Sequence, residues 1–220
     1  MSRQQPVSVI LADDHHIVRR GLAALLQMSG RYRVVDEACD GEEVLRCAQR
    51  TQADLVILDL SMPRMNGLET LRRLTRRLPQ MKKLVLSMYD DTAFVVQALR
   101  GGADGYILKH AMEDELFRAL DAILRGERYI GAAIDLEDMD AQLATFVEIL
   151  TPREREILQL IAEGYTTNEI ARILCISPHT ANRHRANILQ KMGARNQVEL
   201  VRMAAEKGLV ILKQPPSAPG

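Results

Sequence analysis

Residues Leu55 to Pro63 read "LVILDLSMP". Four consecutive apolar residues, Leu55 to Leu58, are what a strand buried on both faces requires, and such strands belong to parallel sheets. The run ends in an acid, Asp59, and a proline four residues later stops regular structure. A carboxylate at the end of a buried strand is costly unless something pairs with it or uses its charge. The first apolar run of the chain, "VSVILA" at 7–12, ends the same way, in Asp13 and Asp14.

Working outward, the first 125 residues alternate short apolar runs with amphipathic segments. Strands are predicted at 7–12, 33–38, 54–60, 82–88 and 104–108, and helices at roughly 15–28, 41–50, 66–77, 92–100 and 112–125. Five strand–helix units imply an α/β fold, a five-stranded doubly wound parallel sheet with helices on both faces. In the common order 2-1-3-4-5, strands 1 and 3 are neighbours and their carboxyl ends form the topological switch point. Asp13, Asp14 and Asp59 converge there. Three carboxylates in one crevice repel one another unless a hard cation sits among them, and Mg²⁺ (or Mn²⁺), which takes oxygen ligands and bridges to phosphate, suits the site. Ser87, near the end of strand 4, and Lys109, just after strand 5, reach the same edge. A hydroxyl, a fixed ammonium and a divalent cation together neutralise a phosphoryl group in transfer, with Asp59 as the nucleophile. His15 and His16, adjacent at a helix start, read as caps or surface.

Composition agrees with two domains. A chain of 220 residues with 47% hydrophobic and 26% charged residues is ordinary for a soluble globular protein. No apolar run approaches the ~20 residues that span a bilayer, and "MSRQQPVSVI" lacks a signal-peptide core. Cys39, Cys47 and Cys175 have neither zinc nor disulfide spacing and read as reduced thiols in a cytoplasm. The net charge of zero divides unevenly: residues 1–150 carry 19 Lys+Arg against 23 Asp+Glu, and residues 151–220 carry 10 against 6. A basic C-terminal part is the one suited to nucleic acid.

Residues 126–149 fit neither periodicity and read as a linker, helical from about 136 to 149. Beyond it "TPRE" places Thr151 as N-cap, Pro152 at the first helical position and Glu154 as the partner of a capping box. "TTNE" repeats the device at Thr166 and Glu169. Four helices are expected over 150–212, the last with Val198, Val201 and Ala205 inward, followed by a proline-rich, disordered tail at 213–220. Thr166 to Leu174, a brief turn and Ser177 to Met192 make a helix-turn-helix. Ala181, His184, Ile188 and Met192 form an inward stripe. The opposite face carries His179, Asn182, Arg183, Ala186 and Gln190, hydrogen-bonding groups with a small residue for close approach to a major groove. Arg185 and Lys191 lie off that face, within reach of phosphates.

Taken together, "LADDHH", "VILDLSMPRMNG", "VLSMYDD" and "GADGYILK" resemble the receiver domain of two-component response regulators over roughly residues 6–125. The resemblance implies a flavodoxin-like receiver (1–125) with Asp59 as phosphoacceptor, Asp13 and Asp14 as metal-binding acids and the Ser61 main-chain carbonyl as a further ligand. It makes Ser87 and Tyr106 the hydroxyl and aromatic that move together as a switch, and Lys109 the phosphate-binding lysine. His110 departs from the proline that many receivers carry there. "LTPREREILQLIAEGYTTNEIARILCISPHTANRHRANILQKMG" is similar to the DNA-binding domain of the NarL/FixJ (LuxR-type) regulators. It departs from the commonest wording at Ala181 and Asn182, which bears on base preference. The candidate DNA contacts are Ser177, His179, Thr180, Asn182, Arg183, His184, Arg185 and Lys191.

The expectation is a cytoplasmic bacterial transcription regulator, not a turnover enzyme. It accepts phosphate from a sensor histidine kinase and binds promoter half-sites in double-stranded DNA, as a homodimer when phosphorylated, with no membrane partner. Two rivals stand beside it. A metal-dependent phosphohydrolase with an Asp nucleophile leaves the helix-turn-helix unexplained, and a LuxR-type regulator with a ligand-binding first domain has no need of acids at three positions.

Overall fold

The computed structural model describes residues 5–134 and 149–212. The expected helix over about 136–149 and the disordered tail at 213–220 lie, wholly or nearly so, outside the described residues. The chain divides into two compact units, Met1–Leu143 and Ala144–Gly220.

In the first unit the order is β1 (Val7–Ala12), α1 (His16–Met28), β2 (Tyr32–Ala38), α2 (Gly41–Thr51), β3 (Leu55–Asp59), α3 (Gly67–Arg77), β4 (Lys82–Ser87), α4 (Thr92–Gly101), β5 (Gly105–Leu108), α5 (Met112–Leu124) and β6 (Tyr129–Ile130). All pairings are parallel, in the order β2-β1-β3-β4-β5-β6. β3 is buried along its whole length, as its four apolar residues require. Alternate strand residues, Val9, Leu11, Leu55, Ile57, Leu84, Leu86 and Ile107, meet Leu22 and Leu26 of α1 and Leu116, Leu120 and Ile123 of α5 in one core. The helices α2, α3 and α4 pack side by side and cover the other face.

Each helix on that second face starts at a side-chain cap. Asp40 accepts from Glu43 N at 2.8 Å, Asn66 from Glu69 N at 2.9 Å and Asp91 from Ala93 N at 2.8 Å, satisfying N–H groups that the first turn leaves free. At Gly67, which opens α3, a Cβ would collide with the Asp59 carbonyl and stand 2.6 Å from the Leu60 Cα. Glycine is what lets α3 start directly against the end of β3.

The sheet has a sixth strand where the sequence predicts five and a linker. Tyr129 and Ile130 pair with Gly105 and Tyr106, Gly131 N donates to the Tyr106 carbonyl at 2.8 Å, and Ala132 N donates to the buried Glu115 carboxylate at 2.8 Å. Two residues are too few to show a period of two, which is why the pattern escapes a reading of hydrophobicity.

The second unit holds four described helices, α6 (Pro152–Ala162), α7 (Thr167–Ile173), α8 (Pro178–Met192) and α9 (Gln197–Glu206). Both predicted capping boxes form, at Thr151 with Glu154 and at Thr166 with Glu169. The core gathers Ile157, Leu158, Ile161, Ile170, Ala181, Ile188, Met192, Leu200 and Ala204. Val198 is a correction: it is 81% exposed, and Leu200 and Ala204 are the buried residues of α9. Asn196 caps that helix through Glu199 N, and the phase set by this start turns Val198 to solvent. Gln159 closes the unit, donating to the Ile211 carbonyl at 2.9 Å and accepting from Ile211 N at 3.0 Å.

Candidate functional site

Sheet register explains why residues distant in sequence meet. Ala12 stands beside Leu58, so Asp13 and Asp59 each fall one residue past a paired position on neighbouring strands. Asp59 is beside Leu86, and Ser87 is beside Leu108, which places Ser87 and Lys109 at the same carboxyl edge. Asp13 and Asp59 are 1% and 2% exposed. The Lys109 ammonium lies 2.7 Å from Asp13 Oδ2 and 2.9 Å from Asp59 Oδ2, giving two buried acids one shared counter-charge. No cis peptide bond occurs among the described residues, so the Lys109–His110 bond is trans.

Burial pushes the Asp59 carboxyl above its usual range, aided by Asp13, against the pull of Lys109 and a hydrogen bond from the Ser61 N–H. For Lys109, burial favours the neutral amine, but Asp59 and Asp13 outweigh it and raise the ammonium's pKa. Two acids to one base is an unbalanced set. Asp13, Asp14, His15 and Asp59 each bring one donor atom into a group spanning no more than 4.8 Å. Asp13 Oδ2 is buried, and the Lys109 ammonium is its ion-pair partner. A crowded set of carboxylate oxygens sharing one ammonium fits a hard divalent cation.

Ser87 and Tyr106 are both fully buried. The Ser87 hydroxyl accepts from Tyr89 N at 3.1 Å, and the Tyr106 hydroxyl donates to the Tyr89 carbonyl at 2.7 Å, so both close on the loop after β4. Burial pushes the Tyr106 phenol well up, so it stays a protonated donor. Tyr89 itself stacks on Phe94 at 4.5 Å between centroids. The sequence reading missed two residues here. His15, expected as a cap or surface residue, is exposed at the N-cap position of α1, but it makes no side-chain cap bond and its ring is turned to the acids. Arg19 donates to the Asp13 carbonyl at 2.6 Å and to Glu37 at 2.8 Å, fixing the acidic loop from α1. The signal for Arg19 is its position one turn after the acids on an amphipathic helix.

In the second unit, Ser177 caps α8 by accepting from Thr180 N at 3.0 Å. His179, Asn182, Arg183, Ala186 and Gln190 are exposed on α8, as their spacing predicts. Three candidates are held differently. Arg185 donates to Gln197 at 2.5 Å, Lys191 pairs with the buried Glu154 at 2.7 Å, and His184 is half-buried with Nδ1 out of solvent. Arg185 and Lys191 each contact a partner on a neighbouring helix of the same unit, Gln197 and Glu154, contacts that their place off the α8 face does not foretell.

Comparison with known proteins covers both units. Residues 9–121 match the family model "Response regulator receiver domain", and residues 148–204 match "Bacterial regulatory proteins, luxR family". The nitrate/nitrite response regulator protein NarL of Escherichia coli K12 is 40% identical over 205 residues, spanning 90% of this chain and 95% of NarL. The oxygen regulatory protein NreC of Staphylococcus carnosus is 37% identical over 216 residues, spanning 93% and 99%. Among solved structures, RcsB of Salmonella enterica serovar Typhimurium, bound to a promoter in the presence of the phosphomimetic BeF3⁻, is 29% identical with a TM-score of 0.63, covering 90% of this chain and 98% of that one.

Proposed function

The chain belongs to the two-component response regulators that join a receiver domain to a LuxR-type DNA-binding domain, a family of transcription regulators and not of enzymes, and on that premise we propose that Asp59 is its phosphoacceptor. One observation carries the reading: a carboxylate only 2% exposed ends the central strand, with the Lys109 ammonium 2.9 Å away and two further acids beside it. A sensor histidine kinase is the donor. The Asp59 oxygen attacks phosphorus, the bond from phosphorus to the kinase histidine nitrogen breaks, and an aspartyl phosphate forms.

Lys109 then offers its ammonium to the phosphoryl oxygens, and Ser87 offers a hydroxyl. Asp13, Asp14 and Asp59, with the Ser61 main-chain carbonyl, would hold Mg²⁺, which when bound supplies positive charge against the phosphoryl oxygens. Ser87 and Tyr106 bias the receiver between two states, because both hydrogen-bond to the loop after β4 and a new anion at Asp59 competes for Ser87.

The output is binding of promoter half-sites in double-stranded DNA through α8, with His179, Asn182 and Arg183 toward base edges and Ser177 and Thr180 near the backbone. Phosphorylation promotes a dimer, since two helix-turn-helix units on two half-sites add their contacts through effective concentration. That RcsB is bound to a promoter in the presence of a phosphomimetic supports linking phosphorylation to DNA binding here. Work on promoter DNA puts the protein in the bacterial cytoplasm, where it meets the kinase.

The test is incubation of the full chain with acetyl phosphate and Mg²⁺, followed by intact-mass measurement. A stable gain of one phosphate that Asp59→Asn removes is the expected result. Catalytic release of phosphate would favour a phosphohydrolase, and no gain would favour a regulator whose first domain binds a ligand.

A further inference from the structure

The acidic edge contains one donor that a purely oxygen-ligand site does not need. His15 Nδ1 lies 2.9 Å from Asp14 Oδ1 and 3.2 Å from Asp13 Oδ1, and the His15 main-chain N–H donates to Asp13 Oδ1 at 2.8 Å. The ring nitrogen is among the four donor atoms that fall within 4.8 Å of one another, alongside Asp13, Asp14 and Asp59. His15 stands at the N-cap of α1, where a side chain ordinarily turns to the free N–H groups of the first turn. It makes no such bond. The ring faces the acids instead. Its neighbour His16 takes a different course, with Arg20 against its Nε2 at 3.4 Å.

We propose that His15 gives the acidic site a nitrogen donor, so that the site takes an imidazole-preferring divalent cation of the Mn²⁺, Co²⁺ and Ni²⁺ class more tightly than carboxylates alone would. The inference rests on the reading that Asp13, Asp14 and Asp59 hold the metal. Mg²⁺ is a hard ion that prefers oxygen and gives up water reluctantly, so it gains little from an imidazole. The later first-row ions gain progressively more from one. Coordination requires the tautomer with its proton on Nε2, leaving the Nδ1 lone pair toward the acids. Arg19 makes the arrangement rigid where it matters, since its bond to the Asp13 carbonyl fixes the main chain that carries both Asp13 and His15. At 64% exposure the His15 side chain can be replaced without opening the core.

The test is calorimetric titration of the full-length wild type, His15→Ala and Asp13→Asn with MgCl2, MnCl2 and NiCl2 at one fixed pH, paired with pulsed electron paramagnetic resonance of the Mn²⁺ complexes. His15→Ala should lose about tenfold or more in Ni²⁺ affinity, a smaller factor for Mn²⁺, and less than about threefold for Mg²⁺. The wild-type Mn²⁺ signal should carry modulation from a directly bonded nitrogen that His15→Ala lacks. Equal losses for all three ions, no loss, or no nitrogen modulation would overturn the role of His15. If Asp13→Asn also leaves every affinity unchanged, the acidic site itself is misread. If Asp13→Asn abolishes binding while His15→Ala shows no selectivity among the ions, only the present inference fails.

Discussion

The Tyr106 hydroxyl donates to the main-chain carbonyl of Tyr89 at 2.7 Å, joining β5 to the loop that follows β4. Tyr106 is 0% exposed, so water does not compete for that bond. Tyr106→Phe keeps the ring and deletes the donor. The variant should lose about 0.5–1.5 kcal/mol of stability, the usual net worth of such a bond. It should still accept phosphate on Asp59 but show a smaller gain in DNA affinity on phosphorylation. Denaturant melts and DNA titrations with and without acetyl phosphate measure both effects, and an unaltered gain would remove Tyr106 from the switch.

Asp59→Asn should abolish phosphorylation and leave the fold intact. The amide is nearly isosteric, and Lys109 keeps a partner in Asp13 at 2.7 Å, so no ammonium is stranded. Removing one of two crowded acids offsets the lost pairing, and stability should stay within about 1 kcal/mol of wild type. Thermal melting and intact-mass measurement check this. A melting temperature lowered by many degrees would mean that Asp59 has a structural role the geometry does not account for.

Glu154 makes the second unit sensitive to acid. Burial alone would raise its carboxyl, but Lys191 and the Thr151 main-chain and hydroxyl groups hold it below its ordinary value of 4.5. A depressed folded pKa contributes stability that is fully present above 4.5 and is lost as pH falls through the folded value. The stability gap between wild type and Glu154→Gln should therefore be widest near neutrality and shrink as pH falls below 4.5 through the depressed folded value. A gap that stays constant from pH 7 to pH 3 would contradict the assignment.

Lys191→Ala separates a structural lysine from a phosphate contact. Its pairing with Glu154 predicts a loss of about 1 kcal/mol, modest because the lysine side chain is 38% exposed and its charge is screened. Its contribution to DNA affinity should be small, with the salt slope unchanged. A slope reduced by about one would show instead that Lys191 leaves Glu154 for a phosphate on DNA.

Asn182 and Arg183 are exposed side by side near the start of α8. Asparagine pairs bidentately with adenine and arginine with guanine, each worth about 1–3 kcal/mol of discrimination. Asn182→Ala and Arg183→Ala should each relax base preference at one position of a half-site. Selection of binding sites from random DNA reads this directly, and recovery of the wild-type motif by both variants would refute the assignment of this helix face.

The sheet order and the meeting of Asp13, Asp59 and Lys109 were legible because they follow from strand periodicity and one topological rule. The capping boxes were legible for a similar reason: each is a local pattern of four residues. What escaped depends on contacts between elements. The placement of the His15 ring against the acids depends on where α1 begins relative to them, which no period encodes. The pairing of Lys191 with Glu154 joins two helices across 37 positions. Val198 lies outside the core because the cap at Asn196 sets the phase of α9, and apolar spacing alone does not reveal that phase.

The sixth strand bears on where this protein can be cut. A receiver fragment ending at Arg125, where the last long helix stops, would strip Tyr129 and Ile130 from β5 and leave the main-chain groups on that edge of β5 without partners. It would also release Glu115 from Ala132 and the Tyr106 carbonyl from Gly131 N. An unpaired strand edge is a template for pairing with other chains, so such a fragment should aggregate where one carried through Ile134 stays monodisperse. For domain exchange with a related regulator, the natural seam lies after the strand, not after the helix.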